Sequence, residues 1–477
     1  MYKPSRTALA VTLAFSALPA FAANDADLTE IRKQLQQMKD TYEQRIVSLE
    51  QKLAKAEGVA AKAETTAKDA ESMARQASLR PPTAAPATGF NPEVSLILQG
   101  QYRNMKNINE RQITGFWPAA GHDHDDGGHS ADQRGYSLDH TELMFSANID
   151  PYWRGQAIFA LQDGEVEVEE AFFQSLGLGH GLGLKGGRMR SGIGYLNEQH
   201  AHAWDFADAP LMYKALFGEH GSYAQDGVQL KWVAPTPFFL EFGTDFGRGA
   251  NFPGTDRNKN GSNAGSFFAH VGDDIGTSHS WRAGLSYLQT KAKDREAHFE
   301  DVGGLEAQGS FDGKSKTWIA DFVWKWSPDG NPKYRNFKLQ GEYFQRREQG
   351  TLNCMDEDAV GNACDPGASG ATVLSDYKTR QSGYYLQGVY QFSPNWRAGL
   401  RYDRLDSGTR DFGINAANLV VDNYKPKRVT LMADYNWSEF SRMRLQFAQD
   451  KSMQGVTDNQ VWVQYIMSLG AHGAHKF

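Results

Sequence analysis

Beyond residue 22 the sequence lacks any unbroken apolar run near the ~18–20 residues that a membrane-crossing helix needs. That excludes a helical inner-membrane protein. It leaves open both a soluble all-β protein and a transmembrane β-barrel, whose strands alternate apolar and polar residues and never look hydrophobic on average. Basic charge is also short, with 50 Lys and Arg against 57 Asp and Glu, so nothing in the overall balance points to nucleic acid. Cysteine is nearly missing. The two present, Cys354 and Cys364, flank nine residues of a polar segment. A metal-thiolate centre wants more ligands than two, and in an exported protein this pair is expected to form one local disulfide.

Export is expected from the first 22 residues. Lys3 and Arg6 make a charged start, Ala8 to Leu18 an apolar middle too short to span a bilayer, and Ala20-Phe21-Ala22 a small-x-small cleavage site. A mature chain starting at Ala23 carries 48 basic against 57 acidic residues, a net charge of −9. Leu28, Ile31, Leu35, Met38 and Tyr42 then recur at 3-4-3-4 spacing and lead to Ile46, Leu49 and Leu53. The stripe is too narrow to cover a globular core and predicts a coiled coil, with self-association into a trimer. The helix is placed over 23–79 and the Pro/Ala-rich stretch 80–90 reads as a linker.

From residue 91 to 477 the period changes to two. Trp318, Ala320, Phe322, Trp324 and Trp326 alternate with Thr317, Ile319, Asp321, Val323 and Lys325. Val429, Leu431, Ala433, Tyr435 and Trp437 alternate with Arg428, Thr430, Met432, Asp434 and Asn436. One face is apolar and rimmed by Trp and Tyr, while the other is polar. Short links at Asp150-Pro151, 179–181, 234–237, 273–277, 327–332, 393–395 and Ser438-Glu439 separate longer polar segments at 105–134, 191–223, 250–265, 291–314, 347–377 and 406–425. Tight turns at one end and long loops at the other are the pattern of outer-membrane barrels. The expected fold is all-β, an antiparallel transmembrane barrel of about 16 strands in the outer membrane of a Gram-negative bacterium. Val461, Val463, Tyr465, Met467 and Leu469 share parity with the terminal Phe477, as a lipid-facing last strand requires.

With a leader, a periplasmic coiled coil and a barrel ending in Phe477, the chain resembles the trimeric porins of the phosphate-selective (O/P-type) and DcaP-like group. The segments Asn91 to Leu98, Ser191 to His200 and Ser468 to His472 resemble a proteobacterial family labelled zinc-regulated outer-membrane proteins. The resemblance implies a homotrimer in outer-membrane lipid that passes small hydrophilic solutes. It says little about which solute.

In a pore the work falls to inward side chains and to a loop folded inside. The segment 191–223 is expected to be that loop. Its Glu198, Asp205 and Asp208, set against Arg397, Arg401, Arg428, Arg442 and Arg444 of the last strands, would put a transverse field across a constriction. Glu165, Glu167 and Glu169, alternating with Val166 and Val168, read as an inward acidic rung that favours cations. Two histidine groups suggest weak Zn²⁺ capture, with no cofactor required. One is His122, Asp123, His124, Asp125 and His129 in the first outer loop; the other is His200 and His202, flanked by Glu198 and Asp205. Neither has the spacing of a catalytic zinc motif, and no Ser/His/Asp set stands out, so no enzyme is expected. A competing reading is a zinc-binding surface protein that conducts little. The stretch Asp256 to Gly261 opens like a calcium loop, but its twelfth position is Phe267, and it reads as an outer turn.

Overall fold

The computed structural model describes isolated positions between Lys33 and Val47, and then residues 92–470 apart from 109–110, 117–132, 163–164, 219–220, 303–305 and 356–371. Two units divide the chain at Phe90 and Asn91. In the first, Lys33, Gln36, Lys39, Asp40, Glu43, Gln44 and Val47 are helical and exposed. Lys39 and Glu43 approach to 3.8 Å and Gln36 Nε2 donates to Asp40 at 3.2 Å, both at the four-residue spacing that pairs side chains on a helix face. The leader, the apolar seam and the linker lie outside the described residues.

The second unit is a closed antiparallel barrel. Its strands are β1 (Glu93–Asn104), β2 (Gly135–Ser137), β3 (Thr141–Asn148), β4 (Trp153–Gln162), β5 (Glu165–Ser175), β6 (Leu182–Arg190), β7 (Ala224–Val233), β8 (Phe239–Gly247) and β9 (Ala264–Ile275). They continue with β10 (His279–Glu300), β11 (Glu306–Trp326), β12 (Asn336–Met355), β13 (Thr372–Gln391), β14 (Trp396–Asp411), β15 (Lys427–Ser438), β16 (Ser441–Lys451) and β17 (Asp458–Gly470). β2 and β3 lie end to end along one edge of β1, so seventeen strands occupy sixteen positions. From β3 onward each strand pairs with the next, and β17 returns to β1 with Ser95 opposite Gly470 and Asn104 opposite Val461. Closure removes every free edge.

The expected alternation decides what each face meets. Leu285, Trp318, Phe322, Leu386, Leu400, Leu431, Leu445, Phe447 and Met467 are exposed on the outside, and Ser286, Thr317, Asp321, Gln387, Thr430, Gln446 and Gln464 are buried on the inside. Aromatic pairs border the greasy band on both sides: Tyr287 with Trp318 (centroids 4.7 Å apart) and Tyr384 with Tyr402 (6.2 Å) above, Trp324 with Phe337 (5.9 Å) and Trp396 with Tyr435 (4.9 Å) below. Eight residues separate Trp318 from Trp326, about 27 Å along a strand and less across a tilted wall, close to the ~25 Å apolar belt of outer-membrane barrels. Both ends of the described barrel and all seven short links lie on one rim.

On the other rim the segments expected as loops over 291–314 and 347–377 carry long stretches of strand. β10 and β11 stay paired to Glu300 opposite Glu306, and β12 and β13 to Met355 opposite Thr372. Above the Tyr287–Trp318 level the period of two persists but its polarity inverts. Lys293, Glu296, Lys314, Lys316, Arg347 and Lys378 turn outward, while Ala292, Ala297, Phe299, Phe311, Leu352 and Tyr377 pack inside. The outside there meets water and the inside a small dry core, so charged outward residues imitated a loop. Cys354 is disulfide-bonded and fully buried in this core; Cys364 lies outside the described residues.

Candidate functional site

The connection from β6 to β7, residues 191–223, folds into the barrel. Its neck is tied by Asn197, whose Nδ2 donates to Ser191 O (2.8 Å) and Tyr223 O (2.9 Å) while its Oδ1 accepts from Tyr223 N at 2.6 Å. Gly194 has φ +67°, a conformation that favours glycine, and a Cβ there would collide with Glu342 Oε1. Glu342 of β12 accepts from Tyr195 N (2.6 Å), Tyr213 OH (2.9 Å) and Tyr385 OH (2.7 Å), and so stitches the insert to the wall. A short helix α1 (Leu211–Phe217) follows, capped from the wall by Asp403 Oδ1 on Leu211 N at 2.9 Å. Its apolar residues pack with Ile193, Leu196, Phe268, Ile319, Phe344 and Tyr385 into a core inside the barrel. That core answers why this connection stays folded inward. An insert carrying Leu, Met, Tyr and Phe at close spacing buries them only where the wall offers apolar partners.

The acidic residues of the insert and the arginines of β14 to β16 meet in direct contact. Asp208 accepts from Arg401 Nη2 (2.9 Å) and pairs with Arg428 Nη1 (2.6 Å), all three being buried. Arg401 also donates to Asp208 O, and Arg428 to Ala209 O. Asp205 pairs with Arg397 at 3.0 Å and with Lys338. Arg444 contacts Asp434 at 2.8 Å and donates to Trp204 O, and Arg442 donates to His202 O at 2.8 Å. The expected gap between opposed charges is thus bridged at Asp205 and Asp208. Glu198 lies elsewhere, paired with Lys231 of β7 at 2.7 Å.

Close to the short-turn rim a second set of cations remains half-buried. Arg282, Lys325, Lys338, Arg397 and Arg442 each lie within three positions of the short-turn end of their strand. Lys325 and Lys338 are directly opposite one another in the ladder, and Asp205 and Asp434 sit among the girdle. Arg282, Lys325 and Lys338 lie on β10 to β12, away from the last four strands that carry the expected constriction arginines.

The histidines of the insert have other neighbours than expected. A single 3₁₀ turn at Ala201–Ala203 replaces the extended chain, and the rings of His200 and His202 stack 5.9 Å apart. Glu198 is paired with Lys231 and Asp205 with Arg397. The two histidines face the wall instead. His200 Nδ1 lies 2.9 Å from Glu169 Oε2 and 3.2 Å from Glu142 Oε2, its Nε2 lies 3.0 Å from Glu170 Oε2, and His202 Nδ1 lies 2.9 Å from Glu142 Oε1. His140 Nε2 reaches Glu169 Oε1 at 2.5 Å. Both Glu169 and Glu170 point inward because the β4–β5 register shifts between Ile158 and Phe159. A β-bulge turns two consecutive side chains to one face, which a strict two-residue period cannot foresee. The acidic rung is therefore no open ladder. Glu169 is held by Arg190 at 2.9 Å as well as by the histidines, Val166 and Glu167 are exposed, and the Glu165 side chain lies outside the described residues. His122, Asp123, His124, Asp125 and His129 lie outside them too. In the outer loop Asp256 pairs with Arg248 at 2.6 Å and accepts from Asn258 N, as a turn does.

No family model matches the sequence. Among solved structures, the chain is similar to a loop-L8 deletion mutant of OmpT from Vibrio cholerae (11% identity, 80% of this chain and 99% of that one, TM-score 0.46). The anion-selective porin from Comamonas acidovorans gives 11% identity over the same shares with TM-score 0.46, and the outer-membrane channel DcaP of Acinetobacter baumannii 11%, 80% and 97% with 0.43. In sequence, an uncharacterised protein of Aquifex aeolicus (strain VF5) is 30% identical over 419 residues, covering 81% of this chain and 80% of that protein. By that identity and coverage, the chain belongs to the same family as the Aquifex aeolicus protein.

Proposed function

We propose that the barrel is an outer-membrane diffusion channel for small hydrophilic solutes, narrowed by residues 191–223 and favouring anions. The observation that carries the reading is the girdle of Arg282, Lys325, Lys338, Arg397 and Arg442 on the inner wall next to the inserted segment. Half-buried cations at a narrow, low-dielectric passage raise the local concentration of anions and repel cations. The apolar belt with its aromatic borders supports placement in a bilayer, and the leader-like first 22 residues support export. The membrane-facing wall and the N-terminal seam support assembly as a homotrimer.

Reconstitution in planar bilayers under a KCl gradient tests this. Discrete ohmic currents are expected, with a reversal potential on the chloride-selective side. The triple substitution Lys338→Gln, Arg397→Gln and Arg442→Gln should move that potential toward potassium. Absence of current, or an unmoved potential, overturns the assignment.

A further inference from the structure

Where the insert meets β3 and β5, six side chains with metal-ligating atoms converge at the inner wall: His140, Glu142, Glu169, Glu170, His200 and His202. Ligand atoms of His140, Glu142 and Glu169 all lie within 4.8 Å of one another. Donors around a tetrahedral zinc ion stand about 3.3–3.5 Å apart, given metal–ligand lengths of ~2.0–2.2 Å. The observed contacts of 2.5 Å for His140–Glu169, 4.0 Å for His140–Glu142 and 3.2 Å for His200–Glu142 bracket that spacing. Small rotamer adjustments would satisfy it.

Charge supports the same conclusion. Glu142 and Glu170 are buried and Glu169 nearly so, and Arg190 is the guanidinium placed against them. Three carboxylates face Arg190, with Lys185 as a further cation near Glu170, so negative charge is still in excess in a water-poor site while the imidazoles are neutral. Buried charge must be compensated, either by protons on the histidines or by a dication in their place. Imidazole nitrogens that already point at carboxylate oxygens hold a proton where the metal would lie, so binding exchanges protons for the ion. The surrounding bonds hold the ligands in position: Arg190 N donates to Glu170 at 2.9 Å, Arg190 Nη2 to Glu169, and Arg442 to the carbonyl of His202. Such outer contacts are what orient metal ligands.

We infer that His140, Glu142 and Glu169, completed by His200 and His202 of the inserted segment, form a binding site for a divalent transition-metal ion of the zinc class, clamping the insert to the barrel wall. Mixed imidazole and carboxylate donors suit Zn²⁺, and Co²⁺ as its spectroscopic substitute, over Mg²⁺ or Ca²⁺. The site does not depend on whether the barrel conducts.

The test uses the full mature chain in detergent carrying His122→Ala, His124→Ala and His129→Ala, so that the outer-loop histidines cannot contribute. Calorimetric titration with Zn²⁺ at neutral pH should give one site per chain, untouched by excess Mg²⁺ and accompanied by proton release. Adding His140→Ala and His200→Ala should lower affinity at least tenfold. Should that variant fail to fold, X-ray absorption of the Zn²⁺-loaded background protein should show imidazole and carboxylate ligands together. Loss of all Zn²⁺ binding in the background protein, unchanged affinity in the folded double variant, or a zinc spectrum without imidazole overturns the inference.

Discussion

Asp208 holds two guanidiniums, those of Arg401 and Arg428, in a place where none of the three reaches water. Removing one partner of a buried ion pair leaves the others desolvated, at a cost of about 3 kcal/mol or more. Asp208→Ala is therefore expected to lower the unfolding free energy in urea by about that amount, read from tryptophan fluorescence of the detergent-refolded barrel. A shift within experimental error would mean that Asp403, which also contacts both arginines, suffices alone. At this scale the sequence was partly legible. Asp205 meets Arg397 and Asp208 meets Arg401 and Arg428, while Arg442 and Arg444 reach only the backbone of the insert; parity along a strand predicts that the five arginines share a face. The grouping of His140 with Glu142 was also open to that logic, two positions apart on one extended segment. Glu170 was not, since the bulge beside it has no signature in a strict alternation. Nor was the 3₁₀ turn that aims His200 and His202 away from Asp205.

Among elements, the insert between β6 and β7 is separable from the wall it leans on. β6 and β7 pair along their full length up to Arg190 opposite Ala224, so a tight hairpin can replace what lies between. Exchanging residues 198–218 for a short Gly/Ser link should leave a heat-modifiable barrel on gels and raise single-channel conductance several-fold. Unaltered conductance would show that the insert does not set the waist. The strand boundaries teach a related lesson. Alternation located all sixteen positions around the barrel, yet it ended β10, β12 and β14 too early and began β11 and β13 too late. The expected pattern of apolar outside and polar inside holds only along the apolar belt. Above the Tyr287 and Trp318 level the solvent changes, and the same pleat carries Lys293 and Glu296 outward over Phe299 and Phe311.

For the molecule as a whole, the seam from Leu28 to Leu53 and a greasy outer wall both favour three copies side by side. Native mass spectrometry of the mature chain in mild detergent should find trimers. Replacing Leu35 and Met38 by Asp should shift them toward monomers on dilution without loss of the folded barrel. Persistence of the trimer would assign its strength to the wall alone. The tall hairpins add an asymmetry of their own. β10 to β13 run on well past the aromatic border, β11 by twelve residues or roughly 40 Å along the strand, whereas β4 ends at Gln162 and β5 begins at Glu165. Among the described residues, the rim opposite the short links is thus a parapet on one side and a low sill on the other. A visitor arriving from the β10–β13 side meets those hairpins well before it reaches the bore.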